Sequence, residues 1–516
     1  MLDTGPILYV VTSVLALASL AVVRKYLDDH SRPPLPPGPT PLPIVGNLLS
    51  LDFTEPWMSF NAWRSTYGDL IYARIFNKPI LVVNSEEVAK DLFEERSNIY
   101  SDKPQSFIYE PFASNFNIAI MPYGDRWRLH RRIFHQTFRQ AAAPACSTMQ
   151  IRSAHTMLFN LLQDPANYPS HIHMFSAMFV LSMVYGYEPK AKGDQIIHNM
   201  EKYLELVTES MTPLGIAIME TFPFLLQLPS WFPGATFKRA SVKCIQAGHD
   251  IKEIPFRYVE EKMSTDDAEP CMVTDLMNKM NGFEDDVIAT AIKEAASMSF
   301  GAASDTTTST LTVFLLAMVL NPEVQAKAQA EIDRVVGKDR LPDFDDRPAM
   351  PYVDAILRET LRWRPVVPFG IPHTSMSSDI YRGFFIPKGI FVLFNTWAMT
   401  HNETKYPSPN EFKPERFLHE DGSLTNDTML LGFGWGRRSC VGRHIADSTL
   451  WIAMASILST FSVQKALDEQ GREIPVIPKF TTGVVVHPEK FPCRIVPRFL
   501  DGSAEMLRQM TGLGQP

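Results

Sequence analysis

The sequence predicts a mainly α fold with small β-sheets (α+β), one large domain behind an N-terminal transmembrane helix. Three observations carry this prediction. Gly5 to Val23 is a nineteen-residue run without a charge, helical periodicity dominates the body, and residues 56–498 show no repeat, low-complexity linker or abrupt change of composition. The expected layout is an anchor over residues 1–26, a proline-rich hinge over 27–50, a folded body over 51–500 and a C-terminal tail over 501–516. Of the 516 residues, 45% are hydrophobic and 21% charged, a globular balance that excludes disorder and fibrous repeats. The net charge is −8, from 49 basic and 57 acidic residues, and no Lys/Arg block suits a nucleic-acid partner. The five cysteines, Cys146, Cys244, Cys271, Cys440 and Cys493, are odd in number and far apart, so a disulfide framework or a zinc ribbon is not expected.

At the amino terminus, nineteen helical residues span about 28 Å, enough for a hydrocarbon core of roughly 30 Å. Asp3 precedes the run while Arg24 and Lys25 follow it, the reverse of a cleaved signal peptide. The positive-inside tendency then leaves the body in the cytosol behind an uncleaved, single-pass anchor. Arg32 to Asn47 reads RPPLPPGPTPLPIVGN; successive prolines fix φ and remove donors, so an extended, stiff spacer is expected. The sequons at Asn402 and Asn426 should stay empty on a cytosolic body.

Within the body, helices are predicted over 88–95, 136–163, 174–185 and 285–320, with Asn321-Pro322 stopping the last and 323–336 beginning another. Short strands are predicted over 80–83, 384–386 and 390–394, flanked by Gly or Pro. No strand–helix alternation of a doubly wound sheet is present.

One cysteine departs from the default of a small buried hydrophobe. Phe433 to Gly442 reads FGWGRRSCVG, in which Gly432, Gly434 and Gly436 allow close approach of backbone to a flat ligand. Cys440 precedes a helical pattern over 443–458, where unpaired N–H groups and the positive dipole end stabilise a thiolate. Such a thiolate can ligate iron, and as a haem axial ligand it favours O–O cleavage. Arg437 is placed to pair with a haem carboxylate. The run is not a G-x-G-x-x-G dinucleotide site, and no neighbouring base marks Cys440 as a protease-type nucleophile.

This segment resembles the haem-binding signature of the cytochrome P450 family, F-x-x-G-x-R-x-C-x-G, with Phe433, Gly436, Arg437, Cys440 and Gly442 read as its fixed positions. Three upstream segments extend the resemblance. Glu359-Thr-Leu-Arg362 is similar to the family's E-x-x-R, and Phe412-Lys-Pro-Glu-Arg416-Phe417 to its F-x-P-x-R-F, which implies a buried charge network of Glu359, Arg362 and Arg416. Ala302 to Thr307 resembles the oxygen-binding motif, with Asp305 and Thr306 implied as the proton relay and Ala303 standing where glycine is usual. A Ser/Thr patch bonding back to carbonyls four residues earlier is the plain alternative. Trp127-Arg-Leu-His-Arg131 is similar to the W-x-x-x-R that reaches a haem propionate, and His373 stands where the family often places another propionate ligand.

The resemblance implies a haem-thiolate monooxygenase: haem b held by Cys440, with NADPH electrons delivered by a partner reductase. It implies an endoplasmic-reticulum membrane location. Arg128, Arg132, Arg438 and Arg443 are the expected basic docking face, a solvated charge run being the alternative. Substrate contacts are expected from residues 107–121 (aromatic Phe107, Tyr109, Phe112 and Phe116), 298–304, 366–371 and 481–484. An apolar or aromatic small molecule of fungal secondary metabolism, terpenoid, polyketide or indole, is the expected substrate. The competing classes are a haem-thiolate isomerase or dehydratase needing no external electrons, and a non-catalytic, membrane-tethered haem-binding protein.

Overall fold

The structure, a computed structural model, describes residues 32–511 except 191, 192, 234, 266, 283 and 499–502. The predicted anchor helix over 5–23 lies outside the described residues. Helices dominate: α1 (Pro56–Tyr67), α2 (Asp125–Phe138), α3 (Ser147–Gln163), α4 (Tyr168–Tyr185), α5 (Gln195–Ser210), α6 (Pro213–Thr221), α7 (Thr236–Ser264), α8 (Met272–Lys279), α9 (Asp286–Leu320), α10 (Pro322–Val335), α11 (Pro351–Trp363), α12 (Arg443–Thr460) and α13 (Ser503–Thr511). The strands are β1 (Leu70–Ile75), β2 (Lys78–Val83), β3 (His373–Thr374), β4 (Asp379–Tyr381), β5 (Phe384–Ile386), β6 (Phe391–Phe394), β7 (Phe461–Lys465) and β8 (Cys493–Pro497).

The mainly α architecture with small sheets is therefore the predicted one. The main sheet runs in the order β1-β2-β6-β3, antiparallel except for the parallel β2–β6 pair, and places His373 opposite Val392. Pro34 and Pro37 accept backbone N–H groups of Phe385 and Tyr72 at 2.8 and 2.9 Å, so the proline-rich stretch is laid along the sheets.

Local chemistry explains the boundaries. The Asp285 carboxylate caps α9 by accepting the N–H groups of Val287 and Ile288 at 2.8 and 3.2 Å. Pro322 occupies the first position of α10, where a missing N–H costs nothing. The single helix expected over 136–163 is two: Arg139 turns extended (ψ 153°) and a 3-10 turn containing Pro144 separates α2 from α3.

α9 runs through the centre. Among the described residues only this helix is long and apolar enough to cross a membrane, but 72% of its most apolar window is buried, which marks it as a core helix. Its C-terminal half packs with α3, α4, α10, α11 and α12 around Phe314 and Trp451. Its N-terminal half packs with α2, α4, α5, α7 and α8 around Ile292 and Phe300. Within the second cluster's stretch of α9, Ala302 is exposed in mid-helix.

Candidate active site

Cys440 sits between a 3-10 turn (Gly436–Arg438) and α12, and its N–H donates to the carbonyl of Phe433 at 2.8 Å. The loop needs glycine at 436. Its φ is +53°, and a Cβ there would lie 1.9 Å from the carbonyl oxygen of Phe93. Cys440 has accessible surface although it is enveloped by protein, so its open side faces the interior. Ala303 of α9 and Val441 border the same apolar cluster. Burial pushes the Cys440 thiol up, against the lowering pull of the Gly442 N–H and of Arg131 and Arg443. The helix terminus alone therefore does not secure the thiolate; a bound iron would supply the charge that does.

Beside the cysteine loop is a shell of basic side chains. Trp127 and Arg131, one turn apart on α2, both reach it: Arg131 donates to the carbonyl of Ser439 at 2.7 Å, and the Trp127 ring carries the Arg438 guanidinium at 4.4 Å from its centroid. Arg438 also donates to the carbonyl of Ser101 at 2.7 Å, and its Nη2 is buried without a partner. Burial pushes Arg438 down to about 10. Lys103 is buried, donates to the carbonyl of Ile371 at 2.9 Å, and is held well below the usual lysine range by burial and by Arg438. His373 is buried against Phe93, with Nδ1 2.7 Å from the carbonyl of Tyr100, and is pushed well down by burial and by Lys103. Nδ1 therefore carries the hydrogen, and Nε2 donates only when the ring is protonated.

Two expectations need correction. Arg437 is exposed and donates to the Tyr123 hydroxyl at 2.8 Å, whereas Arg438, two residues before Cys440, is the arginine inside the basic shell. The signature's own spacing puts its arginine two before the cysteine, so the signal was present in the sequence. For the same reason Arg438 does not belong to an outer docking face. Arg128 and Arg132 are exposed, Arg128 paired with Asp125 at 2.6 Å, while Arg443 is half-buried and donates to Ser439 Oγ at 3.1 Å. Lys103 has no local sequence signal at all.

On α9 the helix is unbroken through Ala302–Thr307 despite Ala303. Thr306 Oγ1 donates to the carbonyl of Ala302 at 2.9 Å, the back-bond of the plain alternative, and Asp305 is half-exposed beside it. The structural triad is assembled. Arg362 grips Glu359 with two hydrogen bonds of 2.6 and 2.8 Å, and Arg416 Nε approaches the same carboxylate at 3.1 Å. The Glu359 and Arg362 side chains are 0% exposed, and Arg362 also donates to the carbonyls of Thr400 and Pro409.

Of the aromatic strip, Phe112 and Phe116 are core residues, whereas Phe107 is 50% exposed. An accessible thiol beside a basic shell with an unpartnered buried donor fits an iron ligand bearing two carboxylates. Haem satisfies these features, with Cys440 for the iron and Arg131, Arg438 and Trp127 around the carboxylates, whereas the neutral His373, its Nδ1–H spent on Tyr100, has no donor to offer them.

Comparison with known proteins covers the same part of the chain. The family profile described as Cytochrome P450 matches residues 36–493. A cytochrome P450 monooxygenase of Armillaria gallica is 36% identical over 506 residues, 96% of this chain and 98% of that protein. A second, from Rhodocybe pseudopiperita, is 36% identical over 94% of each chain. The cytochrome P450 monooxygenase claR of Ampulloclitocybe clavipes is 34% identical over 99% of this chain and 94% of its own.

Proposed function

The chain belongs to the cytochrome P450 family, and from that premise we propose that it oxidises an apolar or aromatic small molecule of fungal secondary metabolism at the endoplasmic-reticulum membrane. It is a haem-thiolate monooxygenase whose electrons come from NADPH through a partner reductase. The haem, when bound, supplies the oxidising chemistry. The chain supplies the rest: Cys440 as iron ligand, Arg131, Arg438 and Trp127 as the carboxylate clamp, Asp305 and Thr306 as the proton path, and the buried Glu359 network as the frame.

The observation that carries the substrate class is the absence of charge in three of the four expected lining segments, the fourth, 107–121, carrying only Glu110, which is exposed. Residues 298–304, 366–371 and 481–484 hold no Lys, Arg, Asp, Glu or His. A charged substrate would lose its hydration there without gaining a partner. The membrane reading draws on the uncharged run over 5–23 and on an exposed apolar face. Ile44 (81% exposed) and Leu49 (75%) lie in the stretch held against β1, and Lys78 at the start of β2 reaches Glu220 of α6 at 3.5 Å. α6 leads into the exposed Phe224 and Trp231 (77%), further apolar side chains at the surface.

The first test is the reduced, carbon-monoxide difference spectrum of membranes expressing the chain. A red-shifted Soret band is expected for the wild type and its loss for Cys440→Ser; a thiolate-type band retained in that variant would remove Cys440 as ligand. Titrating the holoenzyme with terpenoid, polyketide and indole compounds should then shift the Soret band. Shifts given only by charged compounds would overturn the apolar assignment.

A further inference from the structure

Asp305 does not stand alone beside Thr306. Its Oδ1 lies 2.9 Å from Nε2 of His487, at the end of the chain segment that returns past α9. This segment is a hairpin with its backbone pinned at several points. Thr481 N–H donates to the carbonyl of His487 at 2.8 Å, and the His487 N–H returns to Thr481 Oγ1 at 3.0 Å. Phe480 and Pro488 pair antiparallel across its base. One turn along α9 from Asp305, Ser309 Oγ donates to the carbonyl of Val486 at 2.6 Å, while the Val486 N–H reaches the carbonyl of Val366 at 2.9 Å. Pro488 also biases His487 toward an extended backbone. The imidazole is thus presented to Asp305 by a rigid mount, and both side chains keep partial access to solvent at 28% and 36% exposure.

A half-exposed carboxylate can rotate freely unless a donor holds one of its oxygens. Here Nε2 of His487, 2.9 Å from Oδ1, occupies that side of the carboxylate and leaves Oδ2 as the oxygen free to exchange a proton. We propose that His487 is a positioning residue for proton delivery, acting through Asp305. The inference rests on the monooxygenase reading of the site. It adds that the hairpin carrying the expected substrate-facing residues 481–484 also sets the orientation of the acid.

The test uses the haem-loaded full chain with its reductase, with NADPH and dioxygen as the only probes. The readout is hydrogen peroxide formed per NADPH oxidised, together with the solvent deuterium isotope effect on NADPH oxidation. His487→Leu should cut the share of electrons ending in water by about threefold or more and raise the isotope effect. His487→Gln, which keeps a donor at a similar reach, should recover most of that loss. In an Asp305→Asn background, adding His487→Leu should change little, because the histidine acts through the acid. Wild-type partition in His487→Leu, equal impairment by Leu and Gln, or full additivity with Asp305→Asn would each overturn the assignment. The carbon-monoxide spectrum separates the two levels: a red-shifted band in every variant shows the haem site intact, whereas its absence in the wild type would sink the underlying reading instead. Should His487→Leu not fold, His487→Phe serves as the donor-free variant.

Discussion

At the residue scale, the adjacent arginines 437 and 438 show how one position separates a surface contact from the clamp. Arg437 ends on a tyrosine hydroxyl, whereas Arg438 is stacked on Trp127 with one buried donor unused. A buried donor without a partner costs about 1–3 kcal/mol, so a carboxylate arriving there gains more than it would at the surface. Arg438→Ala should therefore lower the haem retained per protein after gel filtration by about tenfold, while Arg437→Ala should lower it by less than about twofold. Equal losses would return Arg437 to the clamp. Lys103 adds a second buried cation to the same shell, pushed down by burial and Arg438 and pulled back by Asp102.

At the element scale, the frame is the union of α11 with the loop over 409–416. Glu359 accepts from Arg362, Arg416 and the backbone N–H of Lys413 (2.7 Å), so all of its charge is matched inside the protein. Removing one partner leaves the others unpaired in a low-dielectric core. Glu359→Gln should destabilise the fold by about 3–5 kcal/mol, read as a lowered unfolding midpoint in denaturant. A loss below about 1 kcal/mol would mean that the arginines find carbonyl partners enough without the carboxylate. A second link ties α2 to α9. Glu294 accepts from Arg126 at 2.8 Å and faces His130 Nε2 at 2.9 Å. Burial opposes its charge, but the hydrogen bonds of His130 and Arg126 hold its carboxyl below the usual range.

At the scale of the whole molecule, stability should depend on pH through buried imidazoles. His401 stacks on Trp397 with ring centroids 3.7 Å apart, and burial together with Arg362 and Arg364 pushes it down to about 3. In the unfolded chain the ring takes a proton near pH ~6.5. The unfolded state therefore binds protons first, and the stabilisation present above that pH is lost as the pH falls through the window from about 6.5 to 3. The melting temperature should drop between about pH 6.5 and 4, and His401→Phe should flatten that slope. An unchanged slope would assign the acid sensitivity elsewhere. Glu294 has the same sign at lower pH, since its stabilisation is present above the unfolded carboxylate pKa and lost as pH falls through the lower folded value.

What the sequence determined by itself was the chemistry carried by short, contiguous spacings. The cysteine loop, Glu359 with Arg362, Trp127 with Arg131, and the Asp285–Asn321 limits of α9 are set by neighbours within a few residues, where backbone geometry and helical period act directly. Helix α9 was visible as a long apolar pattern, and the break at Arg139 was not, because one extended residue leaves almost no trace in hydrophobic periodicity. Only the tertiary structure decided that Phe112 and Phe116 belong to the core and that Lys103 joins the basic shell, whereas the signature's spacing already singled out Arg438 over Arg437. The same holds for the His487–Asp305 pair, whose partners are 182 residues apart (487 − 305) and meet only because a hairpin is pinned to the central helix. Such contacts depend on which surfaces are buried against one another, and burial is a property of the packed chain rather than of any local pattern.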